Sequence, residues 1–496
     1  MIFLGIDSGT QSTKAIALDF ETGDILANAQ KGYDLIPGLP AGHLEQNPSD
    51  WLKATEEVAL SCIAQLGSRR EEVAGIGVSG QQHGLVVLDA NDQVIRPAKL
   101  WCDTSTSQQC GMFESEFGGA SGLIELSGNA ILPGYTIPKL LWLKQNEPES
   151  FAKVSTVLLP HDYINFWLTG VKRMEYGDAS GTGVLDIRSR RWCDELLDFV
   201  DPSVRDMFPD LGSSLEAHGQ LRNELAGEWG LSDNVMVSAG GGDNMMGAIG
   251  TGNVVPGVIT ASLGTSGTLY GVADKPAIDS GGEVAAFCDS TDRWLPLVCT
   301  MNVTVVTEQI RKLFELDLDE LENAVARSEP GAAGISFLPY LNGERTPNLP
   351  NGSGVIHGLR VENMRQSNLA RAAMEGATLG LAYGLEGFRG MGITPSEIRL
   401  TGGGSNSGQW RQIAADVFNT PVVMLSTAEG AGLGAAIQAA YCNASGAVGY
   451  SDLCSRFVAV DETTRCEPDS GNVSLYRELL ERQRGMTREL NAAGRL

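Results

Sequence analysis

Two short segments about half a chain apart share one pattern. Asp7-Ser-Gly9-Thr10-Gln-Ser12-Thr13 and Ser262-Leu-Gly264-Thr265-Ser266-Gly-Thr268 both read x-x-Gly-Thr-x-x-Thr, and each lies between two apolar, strand-like runs. A tight turn at the same place in two halves predicts an internal duplication, with each half opening on a strand hairpin. In the first half IFLGI (2–6), KAIALD (14–19) and DILANAQ (24–30) read as three strands. Asn47-Pro48-x-Asp50 reads as a helix start, and Trp51, Leu52, Val58, Ala59, Cys62, Ile63 and Leu66 recur at helical spacing. VAGIGVS (73–79) and GLVVLD (84–89) are the next strands. In the second half GVITASL (257–263), SGTLYGVA (266–273), ISFLPY (335–340) and IRLTGGG (398–404) read as strands; 364–388 and 406–418 read as helices. Pro256 and the small residues of 247–257 mark the boundary, giving domains at 1–248 and 255–496.

Composition narrows the function. The 496 residues carry 36 Lys+Arg against 61 Asp+Glu, a net charge of −25, which argues against nucleic acid or an anionic membrane as the main partner. No apolar run reaches the ~18–20 residues that span a bilayer. The N-terminus has no basic stretch before its short apolar run, so no signal peptide is expected. Nine scattered Cys without a CxxC fit reduced thiols and a cytoplasmic protein rather than a disulfide framework or zinc site. There is no GxxxxGK[ST], HExxH or GxSxG. The lone GxGxxG at Gly75, Gly77 and Gly80 leads into another strand, not a helix, and so does not fit dinucleotide binding.

The Gly-Thr hairpins are the better phosphate sites. Backbone N–H groups of a tight turn, with Ser and Thr hydroxyls, hold phosphate oxygens without net positive charge. Asp7 would repel phosphate by itself, but becomes an anchor for Mg²⁺ held through water; an ordinary Asx turn is the other reading. Gly402-Gly403-Gly404-Ser-Asn406 lies between strand and helix, where a base or ribose could lie on backbone and Asn406 could also cap the helix. Gly240-Gly241-Gly242-Asp243-Asn244 puts a carboxylate at a strand-to-helix turn, as a general base or a helix cap. Gln81-Gln82-His83 offers donors and acceptors for sugar hydroxyls, and Trp101 with Asp103 suits a carbohydrate site or a buried ring beside a surface acid. The segment from Glu429 to Ala436 reads as close helix packing, with nucleotide contact second. Asn342-Gly-Glu344-Arg345-Thr346-Pro347 reads as a structural turn with an adjacent charge pair.

Together GIDSGTQSTKA (5–15), SGQQHG (79–84), LWCDTST (100–106), GGGDNMMGAIGTG (240–252), SLGTSGT (262–268), NGERTP (342–347), TGGGSNSGQWRQIAADVF (401–418) and GAGLGAA (430–436) resemble the FGGY family of carbohydrate kinases over nearly the whole chain. The resemblance implies an α/β fold of two actin-like (ribonuclease H-like) ATPase domains with the active site in the cleft between them. It implies a cytoplasmic carbohydrate kinase using ATP and Mg²⁺, with a small-molecule sugar and MgATP as partners and no nucleic acid or membrane; a homodimer is compatible with it. SGQQHG and LWCDTST are most similar to members that convert D-xylulose to D-xylulose 5-phosphate, although many bacterial ones carry Met where Gln82 stands. By that likeness Asp243 is the catalytic base, Asn244, Gln82 and His83 touch the sugar, and Asp7, Gly9, Thr10, Ser12 and Thr13 form the first phosphate loop. Gly264, Thr265 and Ser266 form the second, and Gly402, Gly403, Gly404 and Asn406 the adenosine loop. The alternatives are a family member acting on ribulose, glycerol, gluconate or a tetritol, and an actin- or Hsp70-like switch protein.

Overall fold

The computed structural model describes residues 1–427 and 430–496. The first half builds a mixed sheet from β1 (Ile2–Ser8), β2 (Ser12–Asp19), β3 (Ile25–Gly32), β4 (Val73–Gly80), β5 (Ala217–Gln220) and β6 (Met236–Ser238), in the order β5-β6-β4-β1-β2-β3. The second half uses β7 (Val258–Leu263), β8 (Gly267–Gly271), β9 (Ala285–Cys288), β10 (Trp294–Thr300), β11 (Glu397–Thr401), β12 (Val422–Leu425) and β13 (Val460–Cys466), in the order β9-β10-β8-β7-β11-β12-β13.

The two sheets match strand for strand. β1-β2-β3 is an antiparallel meander, β1-β4-β6 runs parallel, and β5 closes the edge antiparallel. β7-β8-β10, β7-β11-β12 and β13 repeat the pattern, with β9 added outside β10. This repetition is what the paired hairpins predict. The expected strand at 84–89 forms only at Val86–Leu88 and pairs with Thr156–Leu158, outside the main sheet.

β1 is buried on both faces. On one side Ile2, Leu4 and Ile6 pack with Trp51, Val58 and Ile63 of α1 (Pro48–Leu66), the helix that the apolar spacing predicts. Residues 84–208 form a separate core carrying α2 (Thr136–Asn146). From the same stretch Ile164 and Leu168 of α3 (Pro160–Thr169) join α1 on the sheet. α4 (Asp243–Gly250) lies between the two sheets, with Met246 and Ile249 toward the first and Met245 and Ala248 toward the second. α5 (Gln366–Gly390) and α6 (Gly408–Phe418) cover the second sheet.

The chain then crosses back. α7 (Gly430–Asn443) and α8 (Tyr450–Phe457) belong to the second half by sequence, yet they cover the free face of the first sheet, against Phe3, Ile16 and Leu18. α9 (Ser470–Ala492) returns to the second core. The approach of α7 is set by glycines. A Cβ at Gly434 would stand 1.8 Å from the Met246 carbonyl oxygen, and one at Gly250 would stand 1.6 Å from that of Gly430. On the sheet, a Cβ at Gly5 would meet the Gly432 oxygen at 1.9 Å and one at Gly77 the Ala435 oxygen at 2.0 Å. The reading of 430–436 as close helix packing therefore holds; Glu429, which opens that segment, lies outside the described residues.

Because these contacts are to backbone, no side chain can turn away to make room. Gly434→Ala should cost ~1–3 kcal/mol or more by overpacking. Gly485 in α9 has nothing within 4 Å of an added Cβ, so Gly485→Ala should gain ~0.4–1 kcal/mol by restricting the unfolded chain. Thermal melting of both variants beside the parent checks this; a Gly434→Ala protein as stable as the parent would contradict the backbone contacts.

Candidate active site

Asp7 ends β1, Gln82 and His83 follow β4, and Asp243 starts α4 just beyond two residues, Gly241 and Gly242, that also pair with β4. All four therefore sit at the carboxyl ends of parallel strands, where an α/β sheet opens a crevice. Gly240 makes the turn with φ 73°, and a Cβ on Gly242 would strike the Gln82 side chain at 2.7 Å. From the other half Ser262 and Ser266 reach the same space. The result is a cavity of about 340 Å³ lined by Gln82, His83, Trp101, Tyr135, Asp243, Asn244, Ser262, Ser266, Phe287, Cys299 and Arg345, among others.

Asp243 does not cap its helix: Gly242 holds the cap position, and Asp243 is the first helical residue. Its Oδ1 accepts from the Asn244 backbone N–H at 2.8 Å and from Asn244 Nδ2 at 3.0 Å. Asn244 Nδ2 also donates to Gln82 Oε1 at 2.7 Å. Burial, then the negative charges of Asp7 and Asp178, push the Asp243 carboxyl up to about 7, against the pull of Asn244. Behind this row lies a buried ionic group. His161 Nδ1 lies 2.7 Å from Asp178 Oδ2, and its Nε2 lies 3.0 Å from Asp162 Oδ1. Burial opposes the charged ring, but the two carboxylates outweigh it and raise His161 well above its ordinary range. Gln82 Nε2 donates to Met245 Sδ at 3.3 Å.

His83 has a left-handed backbone, φ 63°, a conformation few non-glycine residues adopt. Its carbonyl is held there by Lys139 Nζ at 2.7 Å and Thr136 Oγ1 at 3.1 Å, both from α2. Lys139 also donates to the Gly134 carbonyl at 2.8 Å, and burial lowers it to about 7. Burial, then Lys139 and Arg345, keep His83 well below its ordinary value. A neutral ring offers one donor and one acceptor, which suits hydroxyl groups.

The first Gly-Thr loop is tied down by side chains. Tyr33 donates to the Gly9 carbonyl at 2.6 Å, Gln46 Nε2 to that of Thr10 at 2.7 Å, and Trp101 Nε1 to Thr10 Oγ1 at 2.9 Å. Ser79 Oγ donates to Asp7 Oδ1 at 2.9 Å, and Ser12 Oγ accepts from Gln30 at 2.9 Å. Thr13 pairs with Ser8 in the hairpin, and its buried hydroxyl goes to Ser8 and Tyr33, so the tip is formed by Gly9 to Ser12. In the second loop Thr304 N–H donates to the Gly264 carbonyl at 2.9 Å and Val303 N–H to that of Thr265 at 3.0 Å. Gly402, at φ 81°, packs where a Cβ would meet the Leu263 backbone at 2.7 Å. The Gly402–Asn406 turn thus borders the second loop, with Gly402, Gly403 and Asn406 exposed and Gly404 buried. The α6 cap is Ser407, whose Oγ accepts from Trp410 N–H at 2.9 Å, and not Asn406.

Asp103 needs a correction. It is fully buried, and its oxygens accept from Leu44 N–H at 2.9 Å and Ser105 N–H at 3.0 Å and lie 3.2 Å from Lys99 Nζ. It is absent from the cavity wall, whereas Trp101 is part of it. His43, Glu45 and Asp103 come close enough together to hold a metal ion, but the Lys99 ammonium is already there, 3.2 Å from all three and 3.9 Å from the Trp142 ring centre. The sequence reading missed Tyr135, Phe287 and Arg345. The first two sit in apolar stretches without a motif. Arg345 had been paired with Glu344, whose carboxylate instead takes backbone N–H groups, including that of Arg345 at 2.8 Å.

An infrared titration that resolves single carboxyl groups should find Asp243 with a midpoint near 7. Asp7→Asn should move that midpoint to lower pH, because one nearby negative charge that favours the protonated form is gone. A parent midpoint in the ordinary range of ~4 would contradict the burial argument.

Comparisons with known proteins bear on the family and the fold. Residues 2–250 match the N-terminal domain of the FGGY family of carbohydrate kinases, and residues 259–442 match its C-terminal domain. A xylulose kinase of Haemophilus influenzae is 43% identical over 97% of this chain and 98% of its own. One of Bacillus subtilis is 35% identical over 99% of this chain and 98% of its own. The crystal structure of a xyloylose kinase from Brucella ovis superposes with a TM-score of 0.92 at 32% identity, covering 99% of this chain and all of that one. With both of its domain signatures present and in order, the chain belongs to the FGGY family of carbohydrate kinases.

Proposed function

We propose that this protein transfers the γ-phosphoryl group of ATP to the terminal hydroxyl of D-xylulose, giving D-xylulose 5-phosphate. The observation that carries the chemistry is the position of Asp243: it shares one cavity with Gln82 and His83 of the first half and with Ser262 and Ser266 of the second. The choice of sugar is supported by the xylulose kinases that resemble the chain over nearly all its length.

A sugar hydroxyl is a weak nucleophile until its proton is taken. Asp243 accepts that proton as the new P–O bond forms, and Asn244 holds the carboxylate in place through two hydrogen bonds. His83 and Asn244 bind the hydroxyls; Gln82 is given over largely to Asn244 and Met245. Backbone N–H groups of Thr10, Gly264, Thr265 and Ser266 steady the phosphates, the Gly9 N–H being held by the Ser12 carbonyl at 3.0 Å, and Gly402 to Gly404 with Asn406 take the nucleoside. The hard oxygen donors of Asp7 and Asp243 fit Mg²⁺, which keeps most of its water when bound to protein; Asp7 would hold it through water. When bound, Mg²⁺ neutralises phosphate charge. The sugar lies mainly on 1–248 and the nucleotide mainly on 255–496. Among the described residues no helix is long and apolar enough to cross a membrane, and nine free cysteines favour the cytoplasm.

Asp243→Asn preserves shape and hydrogen bonding but removes proton acceptance. It should lower kcat by ~10²–10⁴ while calorimetric affinities for sugar and nucleotide change little. A kcat within a few-fold of the parent would show that Asp243 is not the base. A coupled ADP-release assay over ketopentoses, glycerol, gluconate and tetritols tests the substrate, and clear preference for any of these over D-xylulose would replace it.

A further inference from the structure

Arg345 enters the sugar cavity from the second half of the chain. Its guanidinium reaches across to the first half, 3.7 Å from where a Cβ on Gly134 would lie, and its charge acts on His83 and Tyr135. The loop that carries it is pinned by its neighbour. Glu344 is buried and accepts from Met301 N–H at 2.6 Å, Asn302 Nδ2 at 3.0 Å and Arg345 N–H at 2.8 Å. The Glu344 carboxylate is therefore spent on backbone and amide, and among the described residues no carboxylate pairs with the Arg345 side chain. Its charge also acts on the Cys299 thiol, a weak acceptor.

A partly buried guanidinium with open donors calls for an acceptor from the ligand. Two other donors nearby are committed: Trp101 Nε1 to Thr10, and Lys139 to the carbonyls of His83 and Gly134. The reacting hydroxyl belongs with Asp243, Asn244 and Gln82, which come from the first half of the chain. We propose that Arg345 is a specificity-determining residue that donates to the carbonyl end of an open-chain ketose, favouring it over the polyol of the same length. A carbonyl only accepts, so it suits Arg345 N–H and Tyr135 O–H together. A hydroxyl in its place also accepts, but it brings a hydrogen that the guanidinium, which has no acceptor, cannot take.

The inference rests on the ketose kinase reading above, and one experiment separates the two. The ADP-release assay is run on parent, Arg345→Gln and Arg345→Lys with D-xylulose and with the two pentitols made by reducing its carbonyl. Arg345→Gln is expected to lower kcat/KM for D-xylulose ~10–100-fold, chiefly through KM, as for a lost hydrogen bond to a charged group. It should change the pentitols less than about threefold, by the same argument, because they use the contact less. The KM for ATP should stay unchanged, and Arg345→Lys should recover part of the ketose activity. Equal loss on ketose and pentitols, or a defect confined to ATP, overturns the role of Arg345 while leaving the proposed function standing. A parent enzyme inactive on every ketopentose removes the proposed function, and this inference with it.

Discussion

The backbone-to-backbone seating of α7 against α4 and the first sheet is the constraint from which the site follows. Gly5 lies two residues before Asp7 in β1, and Gly77 lies shortly before Gln82 in β4. Both glycines touch the backbone of α7. Met246, whose carbonyl faces Gly434, lies one turn after Asp243 in α4. One set of side-chain-free contacts thus fixes three segments of the cleft relative to each other. Catalytic geometry is sensitive to displacements of an ångström, so the absence of side chains at this junction is a requirement on position more than on volume.

The electrostatics follow a consistent division of labour. In a chain with a net charge of −25, hairpin backbone can hold phosphate without a local excess of lysine. Its buried cations work from behind. Lys139 secures the His83 carbonyl, Lys99 ties Asp103 to Glu45, and His161 sits between two carboxylates. These groups shape the wall while the face toward substrate remains neutral or acidic. Arg345 is a cation that does face the cavity, and it comes from the second half of the chain.

Much of this was legible in the sequence because the relevant features are local. A hairpin tip, a glycine run before an acid and an apolar helix face are each written within a dozen residues. The duplicated sheet order follows from two such tips and the strand signals around them. What escaped depended on where side chains turn once the chain is folded. Asp103 looks like a cleft acid beside Trp101 until Lys99 and the Leu44 backbone claim it. Asn406 competes with Ser407 for the helix cap, and only the backbone angle decides between neighbours. Tyr135 carries no motif because its role comes from α2 being folded against His83. Arg345 was paired with its neighbour because i,i+1 adjacency in a turn says nothing of where a long side chain points.

The return of α7 and α8 to the first sheet has a consequence for how the protein is made. Synthesis proceeds from the N-terminus, and domains generally fold in that order. Here Phe3, Ile16 and Leu18 have no covering helix of their own until residues 430–457 have left the ribosome. The strands made first are thus among the last to be sealed. The nascent chain must carry an open apolar sheet face through most of its translation, a period in which chaperones or a slow, soluble intermediate would have to shield it.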